Sequence, residues 1–487
     1  MDHLEVAGGR LSPAIHGEAN EKGLRTGTLG LLSGIVIGVS STAPGYSLAS
    51  ALGGITAVAG MGTSAPAVIL LAFLPMLCTA AAYYFLNRSE PDCGTTFAWG
   101  TKTWGPWVGW LGGWGIVVAN IIVMGNLAQI SGQYTYMLFG QTPTPGGVVA
   151  VGVAWIVLMT WVCYIGIEVS AVVQYGLLIA EIVTLFLFSA VALFRAGTEH
   201  PAGAIEPSLH WFNPLAIGDF STLAQGLIVA IFIYWGWDST VTVNEESADS
   251  RHGPGKAALW STVILLLIYV VVAVAAQAYH GVEFLANPEH QADVLGALAA
   301  DVLGSPWDKL LIIAVLTSAA ACTQTAILPA TRTALSMATK GAIPKYFART
   351  HPRYFTPTTA TVWMGAICVL WYVGLTHFTP NILVDSVAGL GLAIAFYYGL
   401  TALMCPWYYR RHLRRSLRNT LLLLVAPVLG GLVLVWAMAF SLVTLPDGPR
   451  RIFFGLMGLG VVLMLVQYAV HREFFKRRAE LAPDVIL

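Results

Sequence analysis

Twelve apolar runs, each about as long as a bilayer is thick, are the feature that most limits what this chain can fold into. A membrane-spanning helix needs roughly 20 consecutive apolar residues. Runs of that length occupy residues 28–52, 64–87, 106–138, 146–167, 170–195, 221–244, 258–280, 306–331, 358–376, 381–404, 419–443 and 452–471. Only 10% of the 487 residues are charged, whereas soluble domains contain about 25%. The sequence therefore predicts an all-α polytopic membrane protein with twelve transmembrane helices, called helices 1 to 12 below.

The positions of the lysines and arginines predict how these helices are oriented. If the N-terminus is cytoplasmic, the inner segments contain 21 of the 25 lysines and arginines and the outer segments contain 4. Cytoplasmic loops of membrane proteins are enriched in these residues. Residues 1–27 are polar and lack the short apolar stretch of a signal peptide. We therefore predict a multi-pass protein of the cytoplasmic membrane, with residues 1–27 and 472–487 as cytoplasmic tails.

The cysteines and the catalytic motifs give no indication of an enzyme. The six cysteines lie mostly in apolar runs and form no CxxC pair, which is typical of small core residues rather than of a metal site. The sequence contains no HExxH, GxSxG or Walker motif. Its net charge of zero does not suggest a nucleic-acid partner. We expect no catalytic activity, no metal and no organic cofactor, with a small-molecule substrate and membrane lipids as partners.

Two of the predicted helices contain residues that interrupt a helix. GVSSTAPG begins at Gly38 in helix 1, and FIYWGWDST begins at Phe232 in helix 6. Pro44 has no N–H group, and glycine lowers the cost of leaving helical geometry. Backbone groups freed at mid-membrane cost several kcal/mol each unless something binds them. Close helix packing would also explain the glycines of helix 1, but breaks at paired positions favour a binding site.

The spacing of the two breaks predicts an internal repeat. Gly236 follows Gly38 by 198 residues, which places helix 6 at the start of a second set of five helices. Because five is an odd number, the second set is inverted in the membrane. We predict inverted repeats at 28–195 and 221–404, an extracellular loop at 196–220, and two added helices within 405–471. Paired breaks of this kind are typical of secondary transporters rather than of channels with a continuous pore.

Four stretches of the chain carry a resemblance to a known family. They are GIVIGVSSTAP in helix 1, the segment 83–114 that joins helices 2 and 3, YWGWDSTVTVNEES at 234–247, and the segment 330–357 after helix 8. Together they resemble the amino acid–polyamine–organocation superfamily of secondary transporters, in particular bacterial amino acid permeases. The resemblance implies a five-plus-five inverted-repeat (LeuT-like) fold with helices 1 and 6 unwound. It also implies amino acid transport by alternating access, with amino acid exchange or import of polyamines and biogenic amines as alternatives.

The resemblance also implies which residues of helices 1 and 3 contact the substrate. The backbone of Gly38, Val39 and Ser40, together with Ser41, would receive the substrate carboxylate. The half-helix that begins beyond the break would add partial positive charge to this contact. Asn120 in helix 3 would face the same pocket, although a buried asparagine can equally bridge two helices.

Five residues of helix 6 are implied in the same way. Carbonyl groups near Ile233, Tyr234 and Trp235 would receive the substrate ammonium. Phe232 would be an aromatic gate and Trp235 a wall of the pocket, unless the two rings are simply a packing layer. Asp238 would either cap the second half of the helix or contact the substrate.

Glu181 lies in the middle of helix 5, where an ionisable group is costly and is by default functional. Several superfamily members that are proton-coupled or sodium-independent have a lysine at this position, so this chain departs from their pattern. Glu181 could carry a proton, or it could bind a cation together with Ser318 of helix 8. It could also be a protonated acid that bonds a helix 1 carbonyl. We predict a proton as the coupling ion, with sodium as the alternative.

Charged residues gather at the predicted cytoplasmic ends of helices 6 and 8. They are Glu245, Glu246, Arg251 and Arg332. Such a cluster is either an inner gate or a set of solvated ion pairs, and exposed clusters of this kind are common. The sequence alone favours solvated ion pairs.

Overall fold

The computed structural model describes residues 19–291, 293–378 and 382–479, with only the backbone described for Phe378 and for 382–385. The predicted tails therefore lie partly outside the described residues. The first seven helices are α1 (Leu31–Thr42), α2 (Pro44–Thr56), α3 (Ala65–Ser89), α4 (Thr96–Thr103), α5 (Pro106–Leu138), α6 (Pro145–Tyr164) and α7 (Ile167–Thr198). Of these, α1 and α2 together form predicted helix 1, and α4 is a short helix in the loop before helix 3.

The second part of the chain is also helical, which confirms an all-α polytopic membrane protein. Its helices are α8 (Phe220–Ile233), α9 (Ser239–Thr242), α10 (Gly253–Ala286), α11 (Val294–Leu303), α12 (Asp308–Thr339), α13 (Thr358–Phe378), α14 (Ile382–Tyr408), α15 (Leu417–Thr420), α16 (Ala426–Thr444), α17 (Asp447–Val470) and α18 (Arg472–Phe475). A π-helical turn at Leu421–Val425 joins α15 to α16.

The break in helix 1 lies at Ala43. This residue has φ 49° and ψ 66°, a left-handed conformation that alanine rarely adopts. Pro44 follows directly, and a residue before proline is disfavoured in the α conformation. The prediction of a break in this stretch is confirmed. However, Gly38 to Ser41 are themselves helical and form the last turns of α1.

The break in helix 6 is wider and separates Ile233 from Ser239. Gly236 has φ +123°, which only glycine adopts readily. Because α8 has only 14 residues, it is too short to span a bilayer alone. In the described part of the chain, eleven helices are long and apolar enough to cross a membrane. The total of twelve spans and the inverted repeat stay predictions.

The interrupted helices lie at the centre of the bundle. In the apolar stretch of α1 and α2, 89% of the residues are buried, against 17% in α17. Helix α5 packs along α12 and α14, while α7 and α10 both pack against α1. Most residues of α1 and α2 are therefore surrounded by other helices rather than by lipid, so polar groups at the break find partners within the protein.

Candidate functional site

The structure brings the two breaks into direct contact. The Ser41 hydroxyl at the end of α1 lies 2.6 Å from the Ser239 hydroxyl at the start of α9. The backbone of Gly236 approaches so closely that a Cβ atom there would lie 2.5 Å from the Ser41 carbonyl oxygen. Residues nearly two hundred positions apart therefore form one polar centre inside the membrane.

Side chains of the protein bind the first free amide groups of α2. The Gly45 N–H donates to Oε1 of Glu181 at 2.7 Å, and the Tyr46 N–H donates to Oγ of Ser318 at 3.1 Å. Glu181 and Ser318 are both fully buried. The family resemblance implied that this half-helix would add positive charge to a substrate carboxylate. In the structure, the carboxyl group of Glu181 already lies at that helix end.

The carbonyl groups at the end of α1 also have partners. The Ser41 carbonyl accepts from the Cys322 thiol at 3.0 Å, and the Thr42 carbonyl accepts from the Ser47 hydroxyl at 2.7 Å. Other buried polar atoms near the breaks have no hydrogen-bond partner within the described residues. They are Oγ of Ser40, Oε2 of Glu181, Nε1 of Trp237 and Oγ1 of Thr240. A buried polar group without a partner is costly, so these four atoms could bind a polar ligand at the breaks.

The residues of the helix 6 break are fixed mostly by tyrosines of other helices. The Ile233 carbonyl accepts from the hydroxyl of Tyr269 in α10, which occupies part of its capacity as an acceptor for an ammonium group. The Trp235 indole N–H donates to the Tyr397 hydroxyl at 2.5 Å. The Tyr234 hydroxyl donates to the Ile69 carbonyl at 3.2 Å. All these groups are buried, so the break is rigidly held.

Asp238 does not cap the second half of helix 6, so that alternative of the sequence analysis is wrong. Its carboxylate makes no hydrogen bond to the first amides of α9. Instead it accepts from the hydroxyls of Tyr398 at 2.7 Å and Tyr397 at 3.1 Å, both in α14. The Asp238 side chain is only 2% exposed, and each of its two carboxyl oxygens accepts from one of these tyrosines. Asp238 therefore connects the break to α14.

A cavity of about 430 Å³ opens above the breaks. Phe232 lines it at the end of α8, together with Ser50 and Gly54 of α2, and Asn126 of α5. This volume lies within the range of small-molecule sites. Because α2 follows the first break and α8 precedes the second, the cavity lies on the predicted extracellular side. Phe232 thus borders the cavity next to the helix 6 break.

Asn126 rather than Asn120 is the asparagine of α5 that lines the cavity. Oδ1 of Asn126 accepts from the Tyr46 hydroxyl at 2.5 Å. The side-chain amide of Asn120 donates to the Ile116 carbonyl of its own helix at 2.8 Å. Both asparagines are buried. Asn120 and Asn126 lie on one helix, and only the tertiary structure distinguishes them, through the bond of Asn126 to Tyr46 and its place in the cavity lining.

On the opposite side of the breaks, buried ion pairs close the bundle. The Arg332 guanidinium donates to both carboxylate oxygens of Glu246, at 2.9 and 3.1 Å. Both side chains are 0% exposed, so the expectation of a solvated cluster is wrong for this pair. Two-point contact of this kind fixes geometry as well as charge. It holds the end of helix 6 against α12.

Lys22, which lies in the segment before α1, also closes this side of the bundle. Its ammonium group lies 2.5 Å from Glu245 Oε1 and 3.0 Å from Asp92 Oδ2, and Asp92 also binds Lys340 at 2.8 Å. Asp92, Cys93 and Glu245 lie close enough together to hold a metal ion. However, the Lys22 ammonium lies between them, 3.7 Å from the Cys93 sulfur.

The ionisation of Asp92 and Lys22 is stable around neutral pH. Burial by itself would raise the pKa of Asp92, but the ammonium groups of Lys340 and Lys22 outweigh it and hold that pKa well below its usual range. Burial would lower the pKa of Lys22, but the neighbouring carboxylates hold it well above its usual value. A lowered carboxyl pKa stabilises the folded state at neutral pH, and the stabilisation is lost only as the pH falls through that pKa.

Replacing Lys22 by glutamine is expected to open this closure. Without the ammonium group, Asp92 and Glu245 repel each other, and the buried thiol of Cys93 becomes accessible. In a protein whose other five cysteines are alanine, we expect maleimide to label Cys93 at least several-fold faster in Lys22→Gln. Lys345→Gln, which changes an exposed lysine, is the control. Equal labelling rates in the two variants would show that Lys22 does not seal this side.

Comparison with known proteins agrees with this architecture. A model of the amino acid permease family matches residues 29–465. An uncharacterized transporter of Mycobacterium tuberculosis is 29% identical over 53% of this chain and 54% of its own length. An arginine/ornithine antiporter of Latilactobacillus sakei is 24% identical over 52% of each chain. A branched-chain amino acid permease of Bacillus subtilis is 22% identical over 52% of this chain and 55% of its own.

The chain spans about half the length of the curated relatives that it matches. The family match is much longer and includes both helix breaks, the Arg332–Glu246 pair and all of the candidate substrate-site residues. It confirms the resemblance to the amino acid–polyamine–organocation superfamily. The chain therefore belongs to the amino acid permease family.

Proposed function

We propose that the protein is a secondary active transporter that moves amino acids across the cytoplasmic membrane by alternating access. One observation carries this proposal: the two helix breaks contact each other, with a cavity on one side of them and buried ion pairs on the other. The cavity bordered by Phe232 reaches the breaks from one side. The buried Arg332–Glu246 pair and Lys22 close the other side. A carrier needs access from one side at a time, whereas a channel needs a continuous path.

The substrate would lie between the breaks, beneath Phe232. The unpaired Ser40 hydroxyl would donate to its carboxylate. The amides of Gly38 and Val39, which the family resemblance implies as further contacts, lie within α1 and would become free only if its last turn unwound. Because Glu181 occupies the N-terminal end of α2, the carboxylate would approach from the α1 side, near Ser41. The remaining acceptor capacity of the carbonyls from Ile233 to Trp235 would receive the ammonium group.

A proton is the proposed coupling ion, with Glu181 as its carrier. Glu181 is the fully buried acid of α7, and its side chain bonds the half-helix that begins at the break. Loss of a proton from this carboxyl group would strengthen its hydrogen bond from the Gly45 amide, and gain of a proton would weaken that bond. That change would link the protonation of Glu181 to the position of α2. A sodium ion bound between Glu181 and Ser318 is the alternative.

Proteoliposome counterflow tests the function. Vesicles are loaded with an unlabelled amino acid, and entry of the same labelled amino acid is followed without any ion gradient. We expect exchange of an amino acid and no exchange of a polyamine. A branched-chain amino acid and arginine are the first substrates to try, because relatives are named for them. Exchange of the polyamine alone would instead favour an amine importer. Absence of counterflow for every solute would contradict a carrier.

Obligatory exchange is a second candidate, since a relative of this chain is named as an arginine/ornithine antiporter. The two mechanisms differ when the vesicles contain no amino acid. A proton symporter accumulates substrate in empty vesicles when the outside is acidic. An obligatory exchanger does not, and it requires an internal counter-substrate. The same proteoliposomes therefore separate the two candidates.

A further inference from the structure

A second cavity, of about 470 Å³, lies on the predicted cytoplasmic side and is separate from the cavity above the breaks, although it is bordered by Asp92 and Lys340 of the charged closure. Helix α4, the end of α12 and the segment after α18 surround it. Four cationic side chains line it, Lys102, Lys340, Arg477 and Arg478, together with the carboxylates of Glu90 and Asp92. The lining therefore has more positive than negative charge, and it is drawn from three separate parts of the chain.

Both carboxylates of this cavity are already engaged by lysines. Glu90 binds Lys102 at 2.6 Å, and Asp92 binds Lys340 at 2.8 Å. The two arginines have no carboxylate partner in the described part of the chain. Arg477 donates only to the Lys340 carbonyl at 2.9 Å and lies over the Phe474 ring. Two exposed guanidinium groups thus remain available to an anion.

Aromatic residues place this cavity at the membrane surface. The Trp107 ring packs against Tyr468 and Phe475, with centroids 5.0 and 4.7 Å apart. Trp107 and Tyr468 are partly exposed on the outside of the bundle, at 38% and 41%. Tryptophan and tyrosine are enriched where lipid tails meet the headgroups. Phe474 and Phe475 are buried, and they anchor the segment that carries the two arginines.

We propose that this cavity binds the headgroup of an anionic phospholipid. The phosphate would lie between the guanidinium groups of Arg477 and Arg478, with Lys340 and Lys102 behind it. Guanidinium groups suit phosphate because they present two parallel N–H donors. Basic pockets at the cytoplasmic ends of transmembrane helices are known lipid sites. A soluble phosphate has the same chemistry, but the adjoining aromatic surface suits a molecule with acyl chains.

Native mass spectrometry of the purified full-length protein tests this proposal. The protein in detergent is titrated with phosphatidylglycerol or with phosphatidylcholine, and the bound lipid is counted. We expect Arg478→Gln to lower phosphatidylglycerol binding by at least about three-fold, and Arg477→Gln/Arg478→Gln to lower it further. Phosphatidylcholine binding should not change. The matched control is Arg414→Gln/Arg418→Gln, which removes two exposed arginines from another loop on the same side.

Two results would overturn the lipid site. The first is equal loss of phosphatidylglycerol in the control and in Arg477→Gln/Arg478→Gln, which would indicate general attraction to positive charge. The second comes from a thermal unfolding arm with inorganic phosphate alone. If phosphate stabilises the protein as strongly as phosphatidylglycerol does, and if Arg478→Gln removes this effect, the cavity binds a soluble anion instead.

Discussion

Replacing Glu181 by glutamine is expected to abolish accumulation driven by a pH gradient while leaving counterflow measurable. Glutamine has nearly the same volume and keeps an oxygen that can accept from the Gly45 amide. It cannot gain or lose a proton. The measurement is uptake into proteoliposomes with an acidic exterior, compared with counterflow at equal pH. Accumulation should fall to the level given by counterflow alone.

The expected effect is large because Glu181 and Ser318 both accept hydrogen bonds from the first amides of α2. A Cβ atom on Gly45 would lie 3.3 Å from Glu181 Oε1 and 3.5 Å from the Cβ of Ser318. Within the described residues, no other carboxyl group bonds the first amides of α2. A change of charge at Glu181 therefore acts directly on the half-helix that a carrier must move.

Two further variants make the Glu181 result specific. Glu168→Gln removes an acid that is half exposed and paired with Arg25, and it should leave proton-driven accumulation unchanged. Ser318→Ala removes an oxygen that a sodium ion would need, yet it leaves the acid in place. If the Glu181→Gln protein still accumulates substrate with an unchanged pH dependence, Glu181 is not the proton carrier. Sodium-driven accumulation that both Glu181→Gln and Ser318→Ala abolish would favour the cation site.

Replacing Gly236 by alanine is expected to separate the two helix breaks and to reduce transport at least about ten-fold. The new Cβ atom would lie 2.5 Å from the Ser41 carbonyl oxygen and 2.7 Å from its carbon. Both are backbone atoms, so no side-chain rotation relieves the clash. The φ of +123° adds strain, of about 1–2 kcal/mol for a residue other than glycine. Counterflow rate and thermal unfolding temperature should both fall.

Gly176→Ala is the matched control for Gly236→Ala. Gly176 is an exposed glycine in α7, and a Cβ atom there would meet nothing within 4 Å. Alanine is also a better helix former than glycine, so this variant should transport normally and unfold at the same or a slightly higher temperature. If Gly236→Ala retains full counterflow, contact between the breaks is not needed for transport. A variant that unfolds earlier but transports normally would assign the contact to stability alone.

The helix breaks could be predicted from the sequence because their causes are local. Proline restricts its own backbone and glycine frees it, whatever surrounds Pro44 and Gly236. The length of an apolar run identifies a transmembrane helix without knowledge of the residues that pack against it. The tyrosine pair of α14 could not be predicted in the same way. Tyr397 and Tyr398 stand in an apolar run with ordinary aromatic neighbours, and nothing local links them to Asp238, about 160 residues earlier.

The sequence by itself determined that the chain is an all-α membrane protein, where helices 1 and 6 break, and that a buried acid lies in helix 5. These features follow from composition, spacing and local backbone chemistry. Only the tertiary structure decided which side chains bind the freed backbone groups and which charged residues pair. Glu181 and Ser318 bind the amides of α2. Arg332 pairs with Glu246, and Lys22 pairs with Glu245. A hydrogen bond depends on distance in space, and packing alone brings such distant residues together.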